Sequence, residues 1–297
     1  VIYSIITCMK KLQPKRLIFL ITALAIIAVS GSYILQKYFK DSNNNKTSNE
    51  ESEVVDENKD EYIKQNQTPP VTPKIKYDEQ PVNEDATYFE KYPVIEGQQA
   101  YITFPIEIDP ESPPYLVIYN HGSNTNVTTN TEDPFMKDMM AYGRYFAMRG
   151  YGFAASNQHG MNYGNQASID DITKTISWFK ENYKIQDKVN LLGFSMGGLP
   201  AIYFTVQNRE SVNSLALLAP VTYVWGSNIY KPLENIPITI WHGVRDVNVG
   251  YVASTGFIER GKPYDLNIEL RSISGAGHFD VDTEYMEEIY NFFEQNQ

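Results

Sequence analysis

Ser195 lies in a Gly-x-Ser-x-Gly pattern between a short apolar run and a predicted helix. The apolar run, residues 189–192, has the composition of a buried strand, and residues 199–207 form a mostly apolar helical segment. Pro200 fits this helix because it falls in the first turn, where its missing N–H costs nothing. Glycines two residues before and after the serine remove side chains where a strand must turn sharply into a helix. Such a turn displays the hydroxyl, so Ser195 is a candidate nucleophile, with an N-cap on an inert turn as the alternative.

A serine hydroxyl is a weak nucleophile until a base takes its proton, and histidine is the side chain whose ordinary pKa lies near neutrality. His278 follows the last predicted strand in GAGHFD, and Asp246 follows the preceding strand in HGVRD. In an open α/β sheet, ligands bind beyond the carboxyl ends of the strands. Ser195, Asp246 and His278 all come at such ends, in the order nucleophile, acid, base. We expect Asp280 and Asp282, although close to His278, to open and cap the last helix.

Strands and helices alternate from about residue 86, which predicts a mostly parallel sheet with helices on both faces. The segment 99–105 alternates apolar and polar residues as an antiparallel strand does. Short apolar runs predict further strands at 115–120, 151–156, 189–192, 214–218, 238–241 and 266–272. Longer patterns predict helices at 135–149, 169–183, 199–207, 249–260 and 283–293.

Residues 86–297 therefore resemble the α/β-hydrolase superfamily, with GFSMGG as its nucleophile elbow, HGVRD as its acid turn and GAGHFD as its histidine loop. The resemblance implies the α/β-hydrolase fold and a Ser195-Asp246-His278 triad, in which the carboxylate fixes the histidine tautomer. Too few residues separate the predicted strands 214–218 and 238–241 to form a cap domain. The resemblance is accordingly closest to lightly capped esterases, dienelactone-hydrolase-like enzymes and prolyl-oligopeptidase-like catalytic domains.

The same resemblance implies an oxyanion hole made of two backbone N–H groups. One belongs to Met196, which follows the nucleophile, and the other to Ser123, in the loop after the strand 115–120. His121 and His242 stand beside glycines at strand ends, where we expect structural roles.

Four further residues leave strand ends on the same edge and are candidates for substrate binding. Each has a plain alternative as a residue that packs a loop. They are His159, Tyr163, Tyr223 and Trp225.

The expected function is that of a serine hydrolase that cleaves carboxylic esters through an acyl-enzyme, acting on a small-molecule or polymer-attached ester. The alternatives are a serine peptidase of the prolyl-oligopeptidase-like type and a non-catalytic binding module on a hydrolase fold. The sequence contains no H-E-x-x-H, Cys/His cluster, G-x-G-x-x-G or P-loop pattern, so we expect neither a metal nor a cofactor.

The N-terminal part has the pattern of an exported, membrane-anchored protein. Residues 17–35 are uncharged, and 19 residues form a helix of about 28 Å against a hydrocarbon core of about 30 Å. Several basic residues precede this segment, so we expect residues 1–16 in the cytoplasm, residues 17–35 across the membrane and the chain after residue 40 outside. A secretory signal cut near Ala28-Val29-Ser30 is the alternative, which would release the protein. Met9, followed by two lysines, is the expected start of translation.

Charge is distributed unevenly along the chain, whose net charge is −11. Residues 36–85 are rich in Asn, Glu and Lys, have few apolar residues, and are predicted to be a disordered acidic linker before the catalytic domain, residues 86–297. That domain carries a net charge of −10, which argues against a nucleic-acid partner. Cys8 is the single cysteine, so the chain can form no internal disulfide.

Overall fold

The computed structural model describes residues 72–224 and 227–297. The predicted cytoplasmic segment (1–16), the predicted membrane-spanning segment (17–35) and most of the predicted linker lie outside the described residues, as does Trp225. In the part of the chain that is described, no helix combines the length and the apolar character needed to cross a membrane.

A nine-stranded mixed sheet forms the centre of the folded unit. The described residues contain the strands β1 (Ile75–Lys76), β2 (Tyr88–Lys91), β3 (Val94–Ile95), β4 (Gln98–Pro105), β5 (Glu107–Ile108), β6 (Leu116–Asn120), β7 (Gly152–Ser156), β8 (Val189–Phe194), β9 (Val212–Leu218), β10 (Ile238–Gly243) and β11 (Ile268–Ile273). Their order in the sheet is β11-β10-β9-β8-β6-β7-β4-β2, and β3 pairs with β4. The six strands from β11 to β7 are parallel, β4 pairs antiparallel with β7, and β2 pairs antiparallel with β4.

The strand registers bring the carboxyl ends of the strands that precede the candidate catalytic residues to one edge of the sheet. In the β6–β8 ladder Asn120 lies opposite Gly193, and in the β8–β9 ladder Phe194 lies opposite Leu218. In the β10–β11 ladder Gly243 lies opposite Ile273. Because parallel strands end at the same edge, the loops after β6, β8, β10 and β11 gather there.

Five α-helices connect or follow the strands in the described residues: α1 (Pro134–Ala147), α2 (Gln166–Asn182), α3 (Gly198–Gln207), α4 (Val252–Gly261) and α5 (Met286–Gln295). Side-chain caps start the first two helices. The Asp133 carboxylate accepts hydrogen bonds from two backbone N–H groups of α1, and the Asn165 side chain accepts one from α2. Pro200 lies in the first turn of α3, as predicted.

Two hydrophobic layers cover the sheet. One layer joins the sheet to α2, α3 and α4 through side chains such as Ile172, Ile202 and Phe257. The other joins it to α1 and α5 through side chains such as Phe146 and Phe293. The predicted strand and helix order and the helices on both faces are therefore confirmed, with element boundaries shifted by up to three residues.

Residues 75–77 contact the folded unit although the sequence placed them in the linker. β1 pairs antiparallel with β5. The Tyr77 ring packs edge-on at 5.7 Å from Phe104 and at 5.1 Å from Tyr183, measured between ring centroids. Two apolar side chains in a polar segment are too few to predict such a contact from composition.

Candidate active site

The nucleophile elbow forms where β8 ends and a 3₁₀ turn, Ser195–Gly197, leads into α3. Ser195 has a φ of 54°, in the left-handed region that a non-glycine residue adopts only under strain. A Cβ on Gly197 would lie 1.9 Å from the carbonyl oxygen of Asn120, and a Cβ on Gly193 would lie 2.7 Å from the carbonyl oxygen of Gly197. The glycines are therefore required because backbone passes against backbone on both sides of the serine.

Ser195, His278 and Asp246 form a continuous hydrogen-bonded chain. The distance from Ser195 Oγ to His278 Nε2 is 2.9 Å, and that from His278 Nδ1 to Asp246 Oδ2 is 2.6 Å. All three residues are buried, with 7–8% of each exposed. A carboxylate accepts only, so Nδ1 carries the proton and Nε2 is left to accept the serine proton. The arrangement matches that of a nucleophile, a general base and an orienting acid.

The loop after β10 holds Asp246 in place. Its Oδ1 accepts hydrogen bonds from the backbone N–H groups of Asn248 and Val249, each at 2.8 Å. Buried His242 lies with Nε2 at 2.9 Å from the Val249 carbonyl oxygen and 3.3 Å from Asp246 Oδ2, and its Nδ1 lies 2.7 Å from Ser254 Oγ. Burial lowers the pKa of His242, although the Val249 carbonyl and Asp246 oppose this shift. A neutral His242 donates from Nε2 and accepts at Nδ1, which satisfies both ring nitrogens and supports the structural role predicted for it.

The loop after β6 passes beside the nucleophile. A Cβ on Gly122 would lie 3.6 Å from Ser195 Cβ and 3.2 Å from the Phe194 ring. Ser123 follows within a tight turn, closed by a hydrogen bond from the Thr125 N–H to the Gly122 carbonyl oxygen at 3.2 Å. Met196, on the other side, lies in the first helical turn, where N–H groups have no intrahelical acceptor. Met196 and the loop that carries Ser123 thus lie next to Ser195, and the use of their N–H groups as an oxyanion hole stays a prediction.

His121 ties the ends of two strands together. It is fully buried, with Nδ1 at 2.8 Å from the Gly122 carbonyl oxygen and Nε2 at 3.0 Å from the Asn157 carbonyl oxygen. It contacts backbone at both ring nitrogens, in keeping with the structural role expected for it.

His159, a predicted substrate-binding residue, is engaged in a second His–Asp pair. Its Nδ1 lies 2.6 Å from Asp171 Oδ2, and its Nε2 lies 3.4 Å from the side-chain amide nitrogen of Gln98. Within the described residues its hydrogen bonds lead to these two partners and not to the Ser195 chain. The structure therefore places it at the edge of the reactive face, on the β7 side.

Tyr163, another predicted substrate-binding residue, is 53% exposed and is presented by a rigid loop. Its φ of 47° lies in the left-handed region. Buried Asn162 braces the loop, because its amide donates to the carbonyl oxygens of Gln158 and Gly160, each at 3.1 Å, and accepts from the Gly164 N–H at 2.9 Å. The ring is therefore open to solvent, and substrate binding by Tyr163 stays a prediction.

Tyr223, the third predicted aromatic residue, is 52% exposed and follows β9. Two residues earlier, the Val221 N–H donates to the Ser195 carbonyl oxygen at 2.8 Å, so this segment starts against the nucleophile. Trp225, the fourth substrate-binding candidate, lies outside the described residues.

The expectation that Asp280 and Asp282 cap the last helix through their side chains was wrong. Asp280 accepts a hydrogen bond from the Gly277 N–H at 2.7 Å, which closes the histidine loop. Asp282 is 8% exposed and stands at the N-cap position of the 3₁₀ turn Thr283–Tyr285 that leads into α5, but its side chain makes no cap hydrogen bond. The capping pattern failed because a single sequence does not show that the chain turns inward at Asp282.

Sequence reasoning missed the aromatic rings around His278. The Phe194 and Phe279 ring centroids each lie 5.1 Å from that of His278. The sequence places Phe194 directly before Ser195 and Phe279 directly after His278, and this adjacency could have identified them. A separate surface cavity of about 390 Å³, along α1 and the loop before it, includes none of the residues named for the site.

A model of the α/β-hydrolase fold family matches residues 144–239, a segment that contains Ser195 but neither Asp246 nor His278. No curated protein sequence matches the chain significantly. Solved structures do match, and they extend the likeness to most of the folded unit. Together these matches show that the chain has the α/β-hydrolase fold.

The chain is similar to several solved structures. An esterase from Pyrococcus furiosus matches with a TM-score of 0.53 and 18% identity over 70% of this chain and 92% of its own. A protein from Klebsiella pneumoniae assigned as a dienelactone hydrolase matches with a TM-score of 0.57 and 14% identity, over 70% and 98% of the two chains. A protein from Bacteroides ovatus assigned as a dipeptidyl aminopeptidase IV matches with a TM-score of 0.59 and 14% identity.

The last match covers 72% of this chain but only 37% of the Bacteroides protein. The chain thus spans about a third of the length of that protein. At these identities the likeness shows the fold, and the substrate has to be argued from the site.

The close approach at the elbow predicts that Gly197→Ala is not tolerated. A Cβ at 1.9 Å from the Asn120 carbonyl oxygen forces two backbones apart, so we expect a lower melting temperature and loss of hydrolytic activity. Gly250→Ala is the matched control, because its nearest neighbour would lie at an ordinary 3.7 Å. Equal melting temperatures for the Gly197 variant and the wild type would contradict the elbow geometry.

Buried Asp282 predicts a pH-dependent stability. Burial, and secondly the charge of Asp138, raise the pKa of Asp282 from 3.8 to about 7, while the Tyr142 hydroxyl opposes the shift. Between these values the folded protein keeps a proton that the unfolded chain has released. This contribution to stability is therefore fully present below pH 4 and is lost as the pH rises to 7, at about 1.4 kcal/mol per pH unit.

Asp282→Asn removes this titration, so its melting temperature relative to the wild type should rise from pH 5 to pH 8. Asp280→Asn, which alters an exposed carboxylate two residues earlier, is the control and should show no such trend. A difference between the Asp282 variant and the wild type that stays constant with pH would contradict the prediction.

Proposed function

We propose that this chain is a serine hydrolase that cleaves carboxylic esters through a covalent acyl-enzyme. The observation that carries the proposal is the buried chain of hydrogen bonds from Ser195 through His278 to Asp246, with lengths of 2.9 and 2.6 Å. A nucleophile, a base and an orienting carboxylate in one line are the requirements of acyl transfer.

In the first half of the proposed reaction, Ser195 Oγ attacks the ester carbonyl carbon and its proton passes to His278 Nε2. Asp246 stabilises the imidazolium that forms. The carbonyl oxygen becomes an oxyanion that accepts hydrogen bonds from the N–H groups of Met196 and Ser123. The tetrahedral intermediate then collapses, the bond to the alcohol oxygen breaks, and His278 gives its proton to that oxygen.

In the second half, a water molecule attacks the acyl carbon while His278 takes one of its protons. Collapse of this second intermediate breaks the bond to Ser195 Oγ, which recovers its proton from His278. The carboxylic acid leaves and the enzyme is restored. Each proton moves between His278 Nε2 and an oxygen atom, so the tautomer fixed by Asp246 serves both halves.

A Ser-His-Asp triad can also cleave amide bonds. A serine peptidase of the prolyl-oligopeptidase-like type is therefore the alternative function. The likeness to a protein assigned as a dipeptidyl aminopeptidase IV supports this alternative by fold alone. We favour the ester because an alcohol is a better leaving group than an amine, and because an exposed apolar residue, Phe279, lies beside the base His278.

Substitution of the three reactive residues tests the proposal. We expect hydrolysis of p-nitrophenyl acetate to fall by about 10⁶-fold in Ser195→Ala and His278→Ala. A loss of about 10⁴-fold is expected in Asp246→Asn, because the amide favours the wrong tautomer. Wild-type protein should react with a fluorophosphonate probe and Ser195→Ala should not. Unchanged turnover in either alanine variant would refute the serine mechanism, and a wild type inert to ester and probe would favour the binding module.

We also propose that residues 17–35 anchor the hydrolase in the cell membrane with the catalytic domain outside. This rests on the uncharged sequence of the segment and the basic residues before it. In cell fractionation the full chain should stay with the membranes and be degraded by protease added to intact cells. Recovery of a shorter chain from the medium would instead indicate a cleaved signal.

A further inference from the structure

Exposed apolar side chains are concentrated in loops on the face that carries Ser195. Single exposed hydrophobic residues are common on protein surfaces, so their number proves little. Their position is more informative, because five side chains in the loops that follow β7, β9, β10 and β11 are each more than half exposed. These residues are Met161, Tyr163, Tyr223, Val247 and Phe279.

Phe279 is the member of this group that contacts a reactive residue. Its ring packs edge-on against the His278 ring, with centroids 5.1 Å apart and planes at 81°. It also lies 6.2 Å from the Phe194 ring, while 57% of Phe279 stays exposed. An apolar ring that is half in contact with the base and half in solvent leaves a face free for a substrate group.

The Phe194 ring contacts both the loop after β6 and the aromatic rings of the histidine loop. A Cβ on Gly122, in the loop that carries the predicted oxyanion donor Ser123, would lie 3.2 Å from this ring. The same ring packs on His278 and Phe279. In the proposed mechanism the carbonyl oxygen of the ester faces the loop with Ser123, and its alcohol oxygen reaches His278.

We infer that Phe279 binds the alcohol portion of the ester and that this portion is an apolar alkyl group. The inference rests on the proposed function. The alcohol oxygen takes its proton from His278 Nε2, so the carbon atoms attached to it leave the site along the ring that flanks His278. Val247, 92% exposed and next to Asp246, adds a second apolar side chain to the loops after β10 and β11.

The experiment compares two series of unactivated esters by pH-stat titration. One series keeps the acid and lengthens the alcohol: ethyl, butyl and hexyl acetate. The other keeps the alcohol and lengthens the acid: ethyl acetate, butanoate and hexanoate. The alcohols of the first series have similar acidity, so differences in kcat/KM report binding of the chain.

We expect kcat/KM to rise two- to fourfold per methylene along the alcohol series, because a fully buried methylene contributes a factor of about four. Phe279→Ser should flatten this slope and leave the slope of the acid series unchanged. Phe279→Leu, which keeps an apolar contact, should restore most of it. Met148→Ser is the control, since Met148 is 59% exposed at the end of α1 and away from the loops after the strands.

Each slope compares kcat/KM values of esters measured with the same variant. A loss of activity that affects all esters equally therefore leaves both slopes unchanged. A flat alcohol series in active wild-type enzyme would overturn the inference and leave the proposed function intact. Equal slopes in wild type and Phe279→Ser, or a loss of both slopes together, would overturn it as well. Ester hydrolysis that persists in Ser195→Ala would instead refute the proposed function itself.

Discussion

The close contact between the turn after β8 and the end of β6 sets the geometry of the reactive face. The Gly197 backbone lies so near the Asn120 carbonyl oxygen that no side chain fits between them. This contact holds Ser195 in its left-handed conformation, and the parallel β6–β8 ladder behind it fixes how far the turn can relax. The strain is thus local, and the surrounding sheet keeps it in place.

The base depends on a different kind of support. His278 sits on a loop and not on a strand or helix, and it owes its position to Asp246, which is itself held by two backbone N–H groups and by His242. Buried carboxylates require such partners, because an ionised group without hydrogen bonds is costly in a protein interior. The partners of Asp246 therefore stabilise the fold and orient the base at once.

Much of this arrangement could be predicted from the sequence, because it depends on local patterns. Apolar runs fixed the parallel strands, and the residues at their ends identified Ser195, Asp246 and His278 as the group brought together. The short strands β2 and β3 escaped prediction because four and two residues carry too little periodicity. The contact of Tyr77 and the burial of Asp282 depend on long-range tertiary contacts that a single sequence does not display.

The His278–Asp246 and His159–Asp171 pairs differ in the group that the second ring nitrogen of the histidine contacts. In both pairs Nδ1 lies 2.6 Å from a carboxylate oxygen, so the histidine tautomer is the same. The free nitrogen of His278 faces a strained serine hydroxyl, whereas that of His159 faces the amide of Gln98. His278 Nε2 can take a proton from the serine hydroxyl and return it. His159 Nε2 accepts a hydrogen bond from an amide, which is not acidic enough to transfer its proton. A His–Asp pair becomes a catalytic base only where a nucleophile faces its Nε2 atom. The backbone contact at Gly197 places the Ser195 hydroxyl there, so this contact is as necessary for the proposed function as the His278–Asp246 pair.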